Sequence, residues 1–128
     1  MNKILVPLFS LIVSFNAYGE WTRVASNTSG DNWHLDLDIS SIKQIDGYVY
    51  YWVWEEYLKP TSSGNLGYIV YQQSDCKLGR TNALSVIAYK NPRLKGQGEP
   101  YNPPENWVYH TPSSVGKKVL DYMCNFVK

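Results

Sequence analysis

The sequence predicts an α+β domain: an antiparallel β meander with one C-terminal α-helix packed on one face and fastened by a disulfide. Three observations carry that reading. The chain of 128 residues is 15% aromatic, with eleven tyrosines and five tryptophans, many in alternating runs that suit strands. Only the last stretch, residues 114–127, carries the spacing of a long amphipathic helix. The two cysteines, Cys76 and Cys124, lie behind an N-terminal segment with the pattern of an export leader. In an oxidising compartment they are expected to pair.

The leader comes first. Lys3 supplies a positive start, residues 4–15 are almost unbroken apolar sequence, and Ala17 and Gly19 are the small residues a signal peptidase reads. Cleavage is expected after Gly19, leaving residues 20–128 as one domain. The apolar run falls short of the roughly 20 residues of a membrane span, and no later stretch is long enough either.

Residues 21–25 alternate apolar and polar and read as a first strand. Residues 27–32 form a polar turn cluster, and residues 33–37 alternate again. Asp38 is placed to cap a single helical turn, and Gly47 restarts the chain. Residues 48–58 carry the strongest strand signal. Tyr48, Tyr50, Trp52, Trp54 and Leu58 share one face, whereas Val49, Tyr51, Val53 and Tyr57 share the other. Residues 60–65 are a turn-rich loop, residues 67–74 a second long strand, Leu78-Gly79 a turn, and residues 81–89 a third strand. Short connections make this an antiparallel meander. Residues 91–105 hold four prolines and two glycines and read as an irregular loop outside the sheet. Residues 107–110 suit a short edge strand.

The C-terminal helix begins after Thr111-Pro112-Ser113, with a serine cap. Its apolar stripe runs Val115, Val119, Met123 and Val127, flanked by Leu120, Cys124 and Phe126. Gly116 weakens the first turn, which points to a close approach there. Cys124 on the last turns would reach Cys76 at the end of a strand. Closing so long a loop contributes about 4 kcal/mol in the chain-entropy model, a large share of the roughly 5–10 kcal/mol of a small domain.

Charge and composition exclude several function classes. Of the 12 basic side chains one, Lys3, lies in the leader, and the remaining 11 balance the 11 acidic ones. No strong field therefore points to nucleic acid, anionic lipid or an acidic substrate. There is no metal-binding, nucleophile-elbow or phosphate-cradling motif, so no metal and no cofactor are expected. His34 and His110 read as ordinary surface or structural residues, and paired cysteines cannot serve as nucleophiles or ligands. Glu55 and Glu56 are adjacent in a strand and point to opposite faces, while Asp36 and Asp38 suit solvent or a cap.

The candidate binding residues fall into two groups. Lys90, Arg93 and Lys95 form a basic cluster in the proline-rich loop, with Tyr101 and Trp107 close in sequence. Such a cluster suits a partner protein or an acidic polymer. The second group lies on the sheet. One helix covers one face, and the other face would display some of Tyr51, Tyr57, Tyr68 and Tyr71, depending on how each strand is turned. Tyrosine tolerates water and remains ready to bury, so that face is a candidate contact surface for a partner or a second copy.

The chain also resembles the bacterial surface-adhesin protein E domain family. Matching landmarks are Trp21, Asp38 with Ser41, Ser74-Asp75-Cys76 followed by Arg80 and Tyr89, and the tail Trp107, Pro112, Ser114 and Cys124. The resemblance implies an antiparallel sheet with a C-terminal helix fastened to it by a disulfide. It also implies an adhesin-like role toward an extracellular or envelope protein, and a possible homodimer. A lipid-anchored adhesin has a cysteine directly after its cleavage site. This leader region has none, so a periplasmic or secreted protein without a lipid anchor is expected. The function expected is non-enzymatic binding of a macromolecule; the alternatives are a periplasmic enzyme or enzyme inhibitor, and a structural envelope protein.

Overall fold

The computed structural model describes residues 21–26 and 32–128, with the side chains of residues 32–36 excepted. The expected leader, the turn at residues 27–31 and the side chains of His34 and Asp36 lie outside the described residues. Among the described residues the strands are, in chain order, β1 (Trp21–Ser26), β2 (Asn32–Asp38), β3 (Lys43–Ile45), β4 (Tyr48–Tyr57), β5 (Gly67–Asp75), β6 (Arg80–Tyr89), β7 (Glu99–Tyr101) and β8 (Trp107–Tyr109); the helix α1 (Val115–Phe126) follows. All eight strands join one antiparallel sheet in the order β1-β2-β4-β5-β6-β7, with β3 also on β4 and β8 also on β6.

Alternation along β4 decides the two faces. Val49, Tyr51 and Val53 are buried and pack with Leu37 of β2 and Val119 and Met123 of α1. The aliphatic Val49 and Val53 match the helix stripe in size, which turns the larger even-numbered rings to the opposite face. Val115 and Val127 pack at the margins of this core, whereas Phe126 is exposed. The expected stripe is thus present, without its last flanking residue. Ser114 caps the helix, its Oγ accepting from the Lys117 N–H at 3.1 Å.

The disulfide joins Cys76, in the β5–β6 turn, to Cys124 on the last turns of α1, with Cα atoms 5.8 Å apart. Asp38 caps the expected single turn, a 3₁₀ turn at Ile39–Ser41, by accepting from the Ser40 N–H.

Three expectations need correction. The loop at residues 91–105 is only partly irregular, because β7 within it pairs with β6. Pro100 is tolerated there since β7 is an edge strand and spends no N–H on a further neighbour. The structure adds a hairpin between β3 and β4, where the sequence reading has the chain restart at Gly47. Its turn is Asp46-Gly47, both at positive φ (52° and 83°), as a two-residue turn matched to strand twist requires. Finally, β4 ends at Tyr57, and Leu58 beyond it is exposed rather than on the aromatic face.

Candidate functional site: the open aromatic face

The face opposite α1 is built from every second residue of the central strands. β4 contributes Tyr48, Tyr50, Trp52 and Trp54, and β5 contributes Tyr71 through the Trp52–Tyr71 register. Neighbouring strands bring these rings into contact. Tyr71 lies 4.8 Å from Trp52 and 6.3 Å from Tyr50, centroid to centroid. Trp21 of β1 meets Trp54 edge-on at 5.8 Å, and Trp107 of β8 meets Tyr48 at 5.8 Å. The Arg80 guanidinium lies 4.3 Å from the centre of the Trp107 ring and bonds Asp75 Oδ2 through Nε at 3.1 Å. Within this sequence of contacts the rings remain half-buried and the face keeps solvent access.

Amides are set between the rings. Gln73 Nε2 donates to the Tyr50 hydroxyl at 3.1 Å, and Asn82 Nδ2 donates to Gln73 Oε1 at 3.3 Å. The Asn106 N–H donates to Asn82 Oδ1 at 2.9 Å, which anchors the segment before β8. Rigid rings fixed by amides lose little side-chain freedom on binding, and this favours contact with a macromolecule.

One end of the face is covered. The β6–β7 connection folds back so that a Cβ on Gly98 would lie 2.5 Å from Ile87 Cγ2 and 2.7 Å from the Tyr89 ring. Glu56 holds this connection down. Its carboxylate is 4% exposed and accepts from Trp54 Nε1 at 2.9 Å and from the Arg93 N–H at 3.0 Å. Arg93 and Leu94 both sit at φ 59°, a conformation costly for residues with a Cβ. The loop is therefore fixed, with the side chains of Lys90, Arg93 and Lys95 exposed at its surface. Tyr101 is 51% exposed on the edge strand β7, away from that cluster in the register.

The four tyrosines singled out from sequence do not form one surface. Tyr71 lies on the open face. Tyr51 is fully buried under α1 and is no part of a contact surface; desolvation by burial pushes its hydroxyl up to about 12, partly offset by the Ser74 and Thr81 hydroxyls. Tyr57 and Tyr68 occupy the helix-side face at the end that carries the β4–β5 loop, edge-on at 5.7 Å. The Tyr57 hydroxyl donates to Glu55 Oε1 at 3.1 Å, and the Tyr68 hydroxyl meets Thr61 Oγ1 at 2.8 Å. Desolvation holds the Glu55 carboxyl above the usual carboxylate range, offset in part by the Tyr57 hydroxyl. The other rings of this face are Tyr48, Tyr50, Trp52 and Trp54, signalled by the aromatic even positions 48–54 of β4, and Trp107 of β8.

Other parts of the molecule carry less. Among the described residues no group of three or more His, Cys, Asp or Glu converges as a metal site. A groove of about 310 Å³ is lined by Gln72, Thr81, Ala83, Pro103, Pro104, Asn106, Val108 and His110, with no carboxylate among them. No helix of the described residues is long and apolar enough to cross a membrane.

A helix tethered by a disulfide to one face of an antiparallel sheet, with fixed rings on the other, defines a small aromatic-faced α+β domain. The chain belongs to the surface-adhesin protein E family, whose family model matches residues 21–125. A crystal structure of Haemophilus influenzae protein E (crystal form II) has a similar fold, at TM-score 0.55 and 14% identity, covering 86% of this chain and 100% of that one. No curated protein matches the sequence.

Proposed function

We propose that this chain is an exported, non-enzymatic adhesin-like domain that binds a macromolecular partner at the cell envelope or outside it through its open aromatic face. The observation that carries the reading is the contact array Trp52–Tyr71–Tyr50, continued by Tyr48 and Trp107 and locked by Gln73 and Asn82. Large rings held in place on a sheet face are the composition of binding hot spots. The fixed loop with Lys90, Arg93 and Lys95 adds a basic margin that steers an acidic partner surface toward it. Family membership supports an extracellular or envelope protein as the partner class, and the same face suits a second copy of the chain. Export to the periplasm or medium is supported by the leader pattern and agrees with the Cys76–Cys124 disulfide.

Binding of the oxidised protein to immobilised extracellular-matrix proteins and to envelope extract tests this reading, alongside sedimentation over a wide concentration range. Trp52→Ala together with Tyr71→Ala is expected to abolish the binding or self-association seen with the parent, while leaving the far-UV spectrum and the disulfide intact. Unchanged binding by that variant, or a monomer that engages no partner, overturns it.

A further inference from the structure

One cross-strand row spans the open face. Tyr50 of β4 pairs with Gln73 of β5, Gln73 with Asn82 of β6, and Asn82 with Trp107 of β8. Two amides therefore stand side by side between two rings. Beside them lies a pocket of about 330 Å³, lined by Gln73, Asn82, Ala83, Leu84, Pro103 and Glu105. It sits next to the stretch of β6 between its pairing with β8, at residues 80–82, and its pairing with β7, at residues 86–88.

The backbone fixes which way both amides point. The Asn106 N–H can only donate, so the Asn82 atom 2.9 Å from it is the oxygen, and the Asn82 nitrogen is turned to Gln73. Gln73 then offers its oxygen to Asn82 and its nitrogen to the Tyr50 hydroxyl. Tyr50, having accepted, keeps its own proton to donate. Each amide has two N–H groups and, among the described residues, one acceptor. Asn82 is only 4% exposed and lines the pocket, so its second N–H is a desolvated donor with no acceptor in the described chain. Glu105 supplies the reverse. Its Oε2 accepts from Trp107 Nε1 at 3.0 Å, and no cationic side chain among the described residues pairs with it.

The pocket thus offers a donor at Asn82, an acceptor at Glu105, and apolar lining at Ala83, Leu84 and Pro103. An acetamido group matches all three: C=O toward Asn82, N–H toward Glu105, methyl against the apolar lining. A basic side chain would bring only donors to Asn82, and a carboxylate would meet Glu105. A protein amide has the C=O and N–H without the methyl, and without hydroxyls for Gln73 and Tyr50. Sugar hydroxyl oxygens suit those two donors, and Tyr50 and Trp107 flank them with rings that attract the C–H groups of a pyranose. We propose, on the reading of this face as the binding surface, that the pocket is a subsite for an N-acetylhexosamine and that the partner is an uncharged stretch of glycan bearing that sugar.

The probe is chitotetraose, a β-linked tetramer of N-acetylglucosamine, titrated into the oxidised protein by calorimetry and NMR. Cellotetraose, which lacks the acetamido groups, and the deacetylated glucosamine tetramer are the comparison ligands. Saturable chitotetraose binding is expected, with shifts of the Asn82 and Gln73 side-chain amides and the Trp107 indole. Each comparison ligand should bind about tenfold more weakly or worse, the effect of losing one hydrogen bond to a charged or desolvated group. Glu105→Gln should weaken chitotetraose about tenfold, as should Asn82→Asp, which keeps the acceptor for the Asn106 N–H. If Asn82→Asp does not fold, Glu105→Gln decides. Capture on purified cell-wall sacculi, or on matrix glycoproteins before and after enzymatic deglycosylation, then names the source of the sugar. No saturable chitotetraose binding, equal affinity for the three tetramers, or unchanged affinity in Glu105→Gln overturns the proposal. Capture of a protein that survives deglycosylation and Glu105→Gln but is lost in Trp52→Ala/Tyr71→Ala also overturns the sugar subsite, while the broader binding reading stands.

Discussion

Gly116 and His110 are packed so closely that a methyl group on residue 116 would overlap the imidazole, 2.5 Å from Nδ1 and 2.8 Å from Cε1. In an open helix, alanine for glycine gains about 1 kcal/mol. Here it must displace a ring held by Thr81, and overpacking of that kind costs about 1–3 kcal/mol. Gly116→Ala is therefore expected to lower stability by about 1 kcal/mol net in urea unfolding, against the trend of helix propensity.

Reduction, or Cys76→Ser with Cys124→Ser, opens a loop of sequence separation 48. The chain-entropy model puts the loss at about 4 kcal/mol. Urea midpoints of the oxidised and reduced protein measure it directly, and the reduced form is expected to unfold at a much lower concentration.

Glu55 gives a pH dependence opposite in sign to that of His110. Its carboxyl is raised in the fold, so the folded state holds its proton more tightly than the unfolded chain does. The favourable contribution is present at low pH and lost as pH rises through the folded pKa. Glu55→Gln is expected to raise the melting temperature at neutral pH, with the advantage fading on acidification. For His110 the lowered pKa means that stability present above 6.5 is lost as pH falls.

Glu56 tests the loop. Alanine there leaves the Arg93 N–H and Trp54 Nε1 without their acceptor, at a cost of about 2–3 kcal/mol. Faster proteolysis within residues 91–98 is the accompanying signature, because the clasp that holds φ 59° at two consecutive residues is gone.

The legible parts of the fold were those with local causes. Alternation of large rings marked β4, the Asp38 cap marked its turn, and four-residue spacing marked α1. Asp46-Gly47 is a hairpin signal, but the three residues of β3 are too few to show strand alternation before it. Prolines concealed β7, since their conflict with a ladder disappears at an edge. Period-two alternation separated Tyr51 from Trp52 but did not say which faced the helix. The size match of Val49 and Val53 to Val119 and Met123 decides that, and it is a tertiary fact. The hydrogen bonds that join Tyr51, Ser74, Thr81 and His110 left no mark in the sequence: these positions meet only once β4, β5, β6 and the segment after β8 are in register.

Hydroxyl-radical footprinting of the protein, free and bound to the matrix or envelope partner or to its own copy, tests the open face most directly. The account predicts that Tyr50, Trp52, Tyr71 and Trp107 lose reactivity on association, while Tyr122 and Phe126 on the outer side of α1 remain as reactive as before. Protection of Tyr122 and Phe126 with the four sheet rings unchanged would contradict it.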